Sequence, residues 1–184
     1  MPFTFVSGNL ALDYAGTLQN RRSVPRDLIS SAALLRDWWA AAGLVDSPPE
    51  VGEAEFARAL AVREAVYRLA LAAATGGERS QADIDLVNEA AAAPPVTALL
   101  TREGMRRTGP AEAVIASIAR DAVDLLGGPD AARIRECEDP PCTRLFLDTS
   151  RAGSRRWCDM SGCGNRAKAA GFRARRTAAR PGRS

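Results

Sequence analysis

Apolar residues recur at helical spacing through most of the first 127 positions. Leu34, Leu35, Trp38 and Trp39 share one face of a helix expected from Ser30 or Ser31 to Ala42, with Gly43 as its stop. Pro48-Pro49 opens the next expected helix, with Glu53 and Glu55 in its first turns. Its apolar positions Phe56, Leu60, Val66, Leu69 and Ala70 run to a stop at Thr75-Gly76-Gly77. Ser80 with Asp83 three residues on predicts a capped helix from Gln81 to Ala92, ended by Pro94-Pro95. Pro110 starts a further helix along Val114, Ile115, Ile118, Ala119, Val123, Leu125 and Leu126. Near the start, Leu10-Ala11-Leu12-Asp13-Tyr14 suits a short helix over about 10–18, and Asn20 to Pro25 is a polar loop.

The pattern changes in two places. Between Val96 and Thr108, two short apolar or mixed runs flank Arg102-Glu103-Gly104, which predicts two strands around a turn. Gly127-Gly128-Pro129 then ends the helical texture and sets an expected boundary between residues 1–130 and 131–184. Beyond it, Arg133 to Cys137 reads as a short strand. Leu145 to Asp148 and Ser154 to Cys158 read as the two strands of a hairpin turning through Thr149 to Gly153. A basic helix is expected from Cys163 towards Arg180.

Composition agrees with a mainly helical chain. Of 184 residues 46% are hydrophobic, and much of that is alanine, which favours helices over a thick sheet. No apolar run is long enough to span a bilayer, and Met1 to Phe5 lack the basic-then-apolar order of a signal segment. A cytoplasmic setting is therefore expected. Charge sharpens the division. The net charge is +3, yet residues 133–184 hold 13 basic and 5 acidic side chains, an excess of eight. The preceding residues hold 12 basic and 17 acidic ones, a deficit of five. A cationic segment beside an anionic one suits two modules, the first meeting a polyanion.

The four cysteines all fall in the cationic segment. Cys137 and Cys142, then Cys158 and Cys163, form two Cys-x4-Cys pairs with fifteen residues between them. Two disulfides or an iron–sulfur centre are the competing readings. In a reducing cytosol the pairing favours one structural zinc ion held by four thiolates. Four protein ligands leave no open position for water or substrate, so metal-assisted hydrolysis is not expected. The fold class expected is mainly α with a small β-hairpin. It comprises an N-terminal helical domain and a C-terminal treble-clef-like four-cysteine zinc finger.

At 100° per residue, Arg166, Arg173, Arg176 and Arg180 share about a quarter of the final helix, with Lys168 and Arg175 on a second stripe. Arg151, Arg155 and Arg156 lie on the hairpin. These nine residues are the candidate nucleic-acid contacts, with DNA as the expected partner. RNA binding, or docking of the finger on an acidic protein as an adaptor, is the alternative. Phe146, Trp157 and Phe172 are expected to form the small module's core rather than stack on bases.

Residues 1–130 hold no catalytic constellation. Histidine is absent, and the Gly-Gly pairs sit at helix stops rather than in a phosphate loop, so no enzyme is expected. Asp13 and Tyr14 with Arg21 form either a small ligand pocket or internal hydrogen bonds, and the second suits them better. Of Trp38 and Trp39, one is expected in the core and the other at a helix–helix or subunit interface.

Cys163-Gly164-Asn165-Arg166 resembles the signature of the CGNR zinc fingers. Leu145 to Asp148, Ser150-Arg151, Arg155 to Cys158, Met160, Lys168 and Arg173 to Arg175 agree with that pattern. Leu10 to Asp13, Asp27-Leu28, Leu34 to Trp38, Ala42 to Leu44 and Leu60 to Ala65 resemble the ABATE domain usually paired with it. One departure is Gly16, before Thr17, where that domain tends to carry asparagine. The resemblance implies a bacterial transcription regulator, sometimes labelled stress-induced, whose finger binds DNA. It leaves a sensing role, a small-molecule effector or homodimer formation to the N-terminal part.

Overall fold

The computed structural model describes residues 3–178, with side chains as far as residue 173. Among these residues six α-helices and three two-stranded antiparallel sheets follow one another: α1 (Leu10–Ala15), β1 (Leu18–Gln19), β2 (Arg26–Asp27), α2 (Ala32–Ala41), α3 (Glu53–Thr75), α4 (Gln81–Ala92), β3 (Thr97–Thr101), β4 (Gly104–Thr108), α5 (Ala111–Gly127), β5 (Ile134–Glu136), β6 (Leu145–Leu147) and α6 (Asn165–Ala178). No described helix is long and apolar enough to cross a membrane.

Local chemistry explains most of the boundaries. Ser31 caps α2 by accepting a hydrogen bond from Leu34 N–H, and Gly43, at φ 68°, supplies the left-handed turn after it. Gly76 ends α3 in the same way, at φ 70°. α3 starts later than the Pro48-Pro49 pair suggests. Gly52 is its extended N-cap, and Glu53 and Glu55 place negative charge in the first turn. α4 begins where expected, but Ser80 makes no side-chain cap. Asp83 turns instead to Arg68 on α3, accepting bonds of 2.8 and 2.6 Å from its guanidinium. A charge-assisted pair between helices has displaced the local one.

α3 is the centre of the main core and packs against α1, α4 and α5. Both Trp38 and Trp39 are buried in this core, so neither presents its ring on the surface of the chain. Tyr14 lies against Trp38, with ring centroids 5.1 Å apart, and its hydroxyl donates to Ala59 carbonyl oxygen at 2.7 Å. Arg63 is buried in α3. Its guanidinium reaches Asp27 at 2.7 and 2.9 Å, tying the β1–β2 ribbon to the helix.

The hairpin of the C-terminal segment differs from expectation. β6 pairs with β5, in register Ile134 to Leu147 and Glu136 to Leu145, so Cys137 and Cys142 lie in the loop between them. Ser154 to Cys158 is not a strand. Its donors go elsewhere: Arg155 N–H to an Asp148 carboxylate oxygen at 3.1 Å, and Cys158 N–H to Cys137 Sγ at 3.4 Å. Arg156 carbonyl oxygen accepts from the backbone N–H of Glu138 at 3.0 Å.

β6 carries the two faces of the molecule in three residues. Leu145 and Leu147 point into the helical core with Ile134, while Phe146 points into a second cluster with Cys137, Cys158 and Cys163. This is the period-two alternation of a strand buried on both sides.

Candidate metal centre

The four sulfurs come from three pieces of chain. Cys137 and Cys142 bracket a tight loop, closed by Cys142 N–H donating to Asp139 carbonyl oxygen at 2.8 Å. Cys158 ends the irregular segment. Cys163 lies in a π-type turn, Met160–Gly164, that leads into α6. Asp159 caps that turn, accepting from Ser161 N–H at 3.1 Å and Gly162 N–H at 3.0 Å. A Cβ at Gly164 would meet Met160 Sδ at 2.8 Å, a contact the flexible, half-exposed methionine can relieve by moving.

The sulfurs lie within 4.8 Å of one another. The Cys142–Cys158 separation is 3.8 Å and Cys158–Cys163 is 3.6 Å. A tetrahedron with zinc about 2.3 Å from each sulfur has edges of about 3.8 Å. The donor set therefore fits zinc, and none of the four cysteines is in a disulfide. Three of the cysteines are buried and Cys142 is half-buried. Without a cation the thiols compete for one charge. Hydrogen bonds from Cys142 and then Cys158 hold Cys137 far below the ordinary thiol range. The same bonds to Cys137 push Cys142 and Cys158 up, and burial pushes Cys163 up. A divalent ion at the centre favours all four thiolates at once.

Arginines brace this cluster from outside. Arg166 donates to Asp139 carboxylate from Nε at 2.9 Å and from Nη2 at 2.6 Å, and its Nη2 also reaches Cys163 Sγ at 3.0 Å. It bridges both halves of the metal site, the arrangement that orients a ligand and damps thiolate charge. Arg155 stacks over Phe146 with its carbon 4.5 Å from the ring centre. It donates to carbonyl oxygens of Trp157 at 3.0 Å, Val6 at 2.8 Å, and Cys158. Both were expected to face nucleic acid; Arg155 is half-buried at the seam with the N-terminal segment, and Arg166 makes these bonds while its side chain stays 58% exposed.

The remaining basic candidates lie elsewhere. Arg151 and Lys168 are exposed. Arg156 is exposed as well, paired with Glu138 at 2.6 Å and lying over Trp157. Arg173 is exposed on α6. The side chains of Arg175 and Arg176, and all of Arg180, lie outside the described residues. Phe172, expected in the small core, is 55% exposed, whereas Phe146 is fully buried with Trp157 packed beside it.

Asp13, Tyr14 and Arg21 are each taken up by internal partners. Asp13 accepts from Val6 N–H at 3.0 Å and Ser7 N–H at 2.9 Å, and faces Arg144 at 3.5 Å. Burial raises its pKa, against the lowering effect of those hydrogen bonds. Tyr14 is held at Ala59, and burial pushes its pKa up. Arg21 pairs with Glu64, donates to Ala15 carbonyl oxygen at 2.9 Å and lies 3.8 Å over the Tyr67 ring.

Two residues that sequence reasoning passed over matter here. Asp139 is buried and anchors Arg166. Its only sequence signal is its place inside the first Cys-x4-Cys loop. Arg144 is buried between Asp13 and Thr4, donating to Thr4 Oγ1 at 3.1 Å. No local pattern announces it, since its partners are more than a hundred positions away. It also lines a cleft of about 190 Å³ with Gln19, Asn20, Arg166 and Cys142.

A helical domain carrying a structural four-cysteine zinc site at its C-terminal end is the class this architecture defines. The sequence matches the ABATE family, described as "Putative stress-induced transcription regulator", over residues 8–129, and the CGNR zinc finger over residues 133–176. The chain belongs to the ABATE family and bears a CGNR zinc finger. No curated protein matches it.

Proposed function

We propose that this protein is a DNA-binding transcription regulator whose zinc-stabilised finger applies an arginine-rich surface to the phosphate backbone. In this reading residues 131–184 meet DNA and residues 1–130 sense or assemble. The observation that carries it is the charge of the C-terminal segment, 13 basic against 5 acidic residues. Four thiolates around one divalent ion bring a charge of minus two, so an excess of about six positive charges remains. A family described as transcription regulators supports the same reading.

In this reading the DNA-facing set is Arg151, Arg156, Lys168 and Arg173, with Arg175, Arg176 and Arg180 further along, while Arg155 and the exposed Arg166 also hold bonds around the metal site. The test is binding of the full zinc-loaded chain to duplex DNA across a salt series. Binding should weaken steeply with salt, and Arg151→Ala/Lys168→Ala/Arg173→Ala should lower both affinity and salt slope, the slope by about three. No binding at low salt overturns the reading. A stoichiometric protein complex that survives nuclease treatment would point to an adaptor instead.

A further inference from the structure

The β3–β4 hairpin has two edges of different character. On β4, Arg106 and Arg107 supply charge, and Asp46 covers the backbone. Arg107 N–H donates to an Asp46 carboxylate oxygen at 2.6 Å, and Arg107 carbonyl oxygen accepts from Asp46 N–H at 3.2 Å. Charge and a covering loop are how edge strands are protected from pairing. β3, Thr97-Ala98-Leu99-Leu100-Thr101, has no charge, proline or glycine. Among the described residues no other strand pairs with it.

Its free groups can be located. Antiparallel register sets Leu99 opposite Arg106 and Ala98 opposite Arg107. Arg107 turns its backbone outward to Asp46, so its partner Ala98 turns outward on the other edge. Val96, two residues earlier, agrees: its N–H leaves the hairpin and donates to Ser117 Oγ at 3.0 Å. Ala98 and Leu100 therefore present N–H and C=O along an open edge. The side chains beside it are apolar and exposed: Leu100 at 92%, Met105 at 55% and Leu99 at 47%.

We infer that β3 is a self-pairing edge through which two copies of this chain form a two-fold dimer with a continuous four-stranded sheet. The strand is complementary to itself. With the two-fold axis at Leu99, Ala98 exchanges both backbone hydrogen bonds with Leu100 of the copy, and Leu100 does so with Ala98. Leu99 meets Leu99 of the copy as a non-hydrogen-bonded pair, and Thr97 meets Thr101. No like charges are brought opposite one another, because the strand has none. A second copy thus meets the edge with matching groups at every position. The surface is small, so the dimer forms in a concentration-dependent way.

The test is sedimentation equilibrium of the full zinc-loaded chain in a dilution series, with no nucleic acid, so its outcome is separate from that of DNA binding. The wild type should rise towards twice the chain mass. Leu100→Lys at an exposed side chain, and Ala98→Pro at an outward N–H, should both stay at monomer mass with an unchanged helical circular dichroism signal. Register is checked by crosslinking: Leu99→Cys should form a disulfide with its own copy under mild oxidation, and Thr97→Cys should not. A wild type that stays monomeric overturns the inference. So does a dimer that survives both substitutions, or crosslinking that is equal at positions 97 and 99.

Discussion

The molecule has two cores built on different physics. The helical core buries Trp38, Trp39, Tyr14 and some two dozen aliphatic side chains around α3, and it holds together by removing apolar area from water. Among the described residues the second cluster has Phe146, Trp157 and the four cysteines. Apolar burial on that scale does not fold a segment of some fifty residues, and the metal supplies what is missing. The comparison teaches that the two are neither one core nor separate ones. They share β6, whose Leu145 and Leu147 serve the first and Phe146 the second.

Metal removal tests this contrast most severely. A chelator should abolish the structure around Cys137 to Cys163 while leaving most helical signal, because structural zinc contributes on the order of 10 kcal/mol to small modules. Circular dichroism with zinc quantification checks it. Loss of the α3–α5 signal together with the metal would mean that the helical core depends on the finger.

The paired substitutions Leu145→Ala and Phe146→Ala separate the faces of β6. Leu145→Ala should lower the main unfolding transition by about 2–5 kcal/mol with one zinc retained. Phe146→Ala should speed zinc transfer to a competing chelator and move the main transition far less. Denaturant titration and stopped-flow chelation read the two effects. Equal effects on both would erase the distinction between the cores.

Arg166→Lys should come next in size. It keeps the charge but loses the fork that joins Asp139 to Cys163, and zinc affinity should fall about 10- to 100-fold. A competition titration measures it. If affinity is unchanged and only DNA binding falls, Arg166 faces nucleic acid after all.

The smallest effect concerns acid. The Arg68 hydrogen bonds lower the Asp83 pKa; at Asp27 burial is the largest single cause and raises the pKa, but the hydrogen bonds from Arg63 and Ile29 and the charges of Arg63 and Arg21 together lower it. Both groups bind fewer protons folded than unfolded, so their contribution is present above the ordinary carboxylate pKa of about 3.9 and is lost as pH falls below it. Asp83→Asn should flatten the acid limb of the stability curve of the helical core, measured by thermal unfolding between neutral and acid pH. An unchanged limb would remove the α3–α4 pair from the account.

Much of this was legible in the sequence where the cause is local. Gly43 and Gly76 end helices because their backbone takes a left-handed turn, and the spacing of Cys137, Cys142, Cys158 and Cys163 brings four sulfurs to one point. The misses have distant causes. Asp83 gave up its expected cap for Arg68, and Ser154 to Cys158 gave up a ladder for Asp148 and a sulfur. The bonds that Arg155 and Arg166 make around the metal site were not legible, because composition counts guanidinium groups without their partners.

The sequence by itself determined the helices, the metal and the sign of charge on each part. These depend on periodicity, ligand type and residue counts, all properties of neighbours along the chain. Only the tertiary structure decided which arginines reach the metal site, that Asp13 meets Arg144, and that β3 keeps an open edge. Those outcomes turn on hydrogen bonds and burial between residues far apart in sequence. A buried polar group takes whichever partner the fold brings within reach, because leaving it unpaired costs more than any local preference gains.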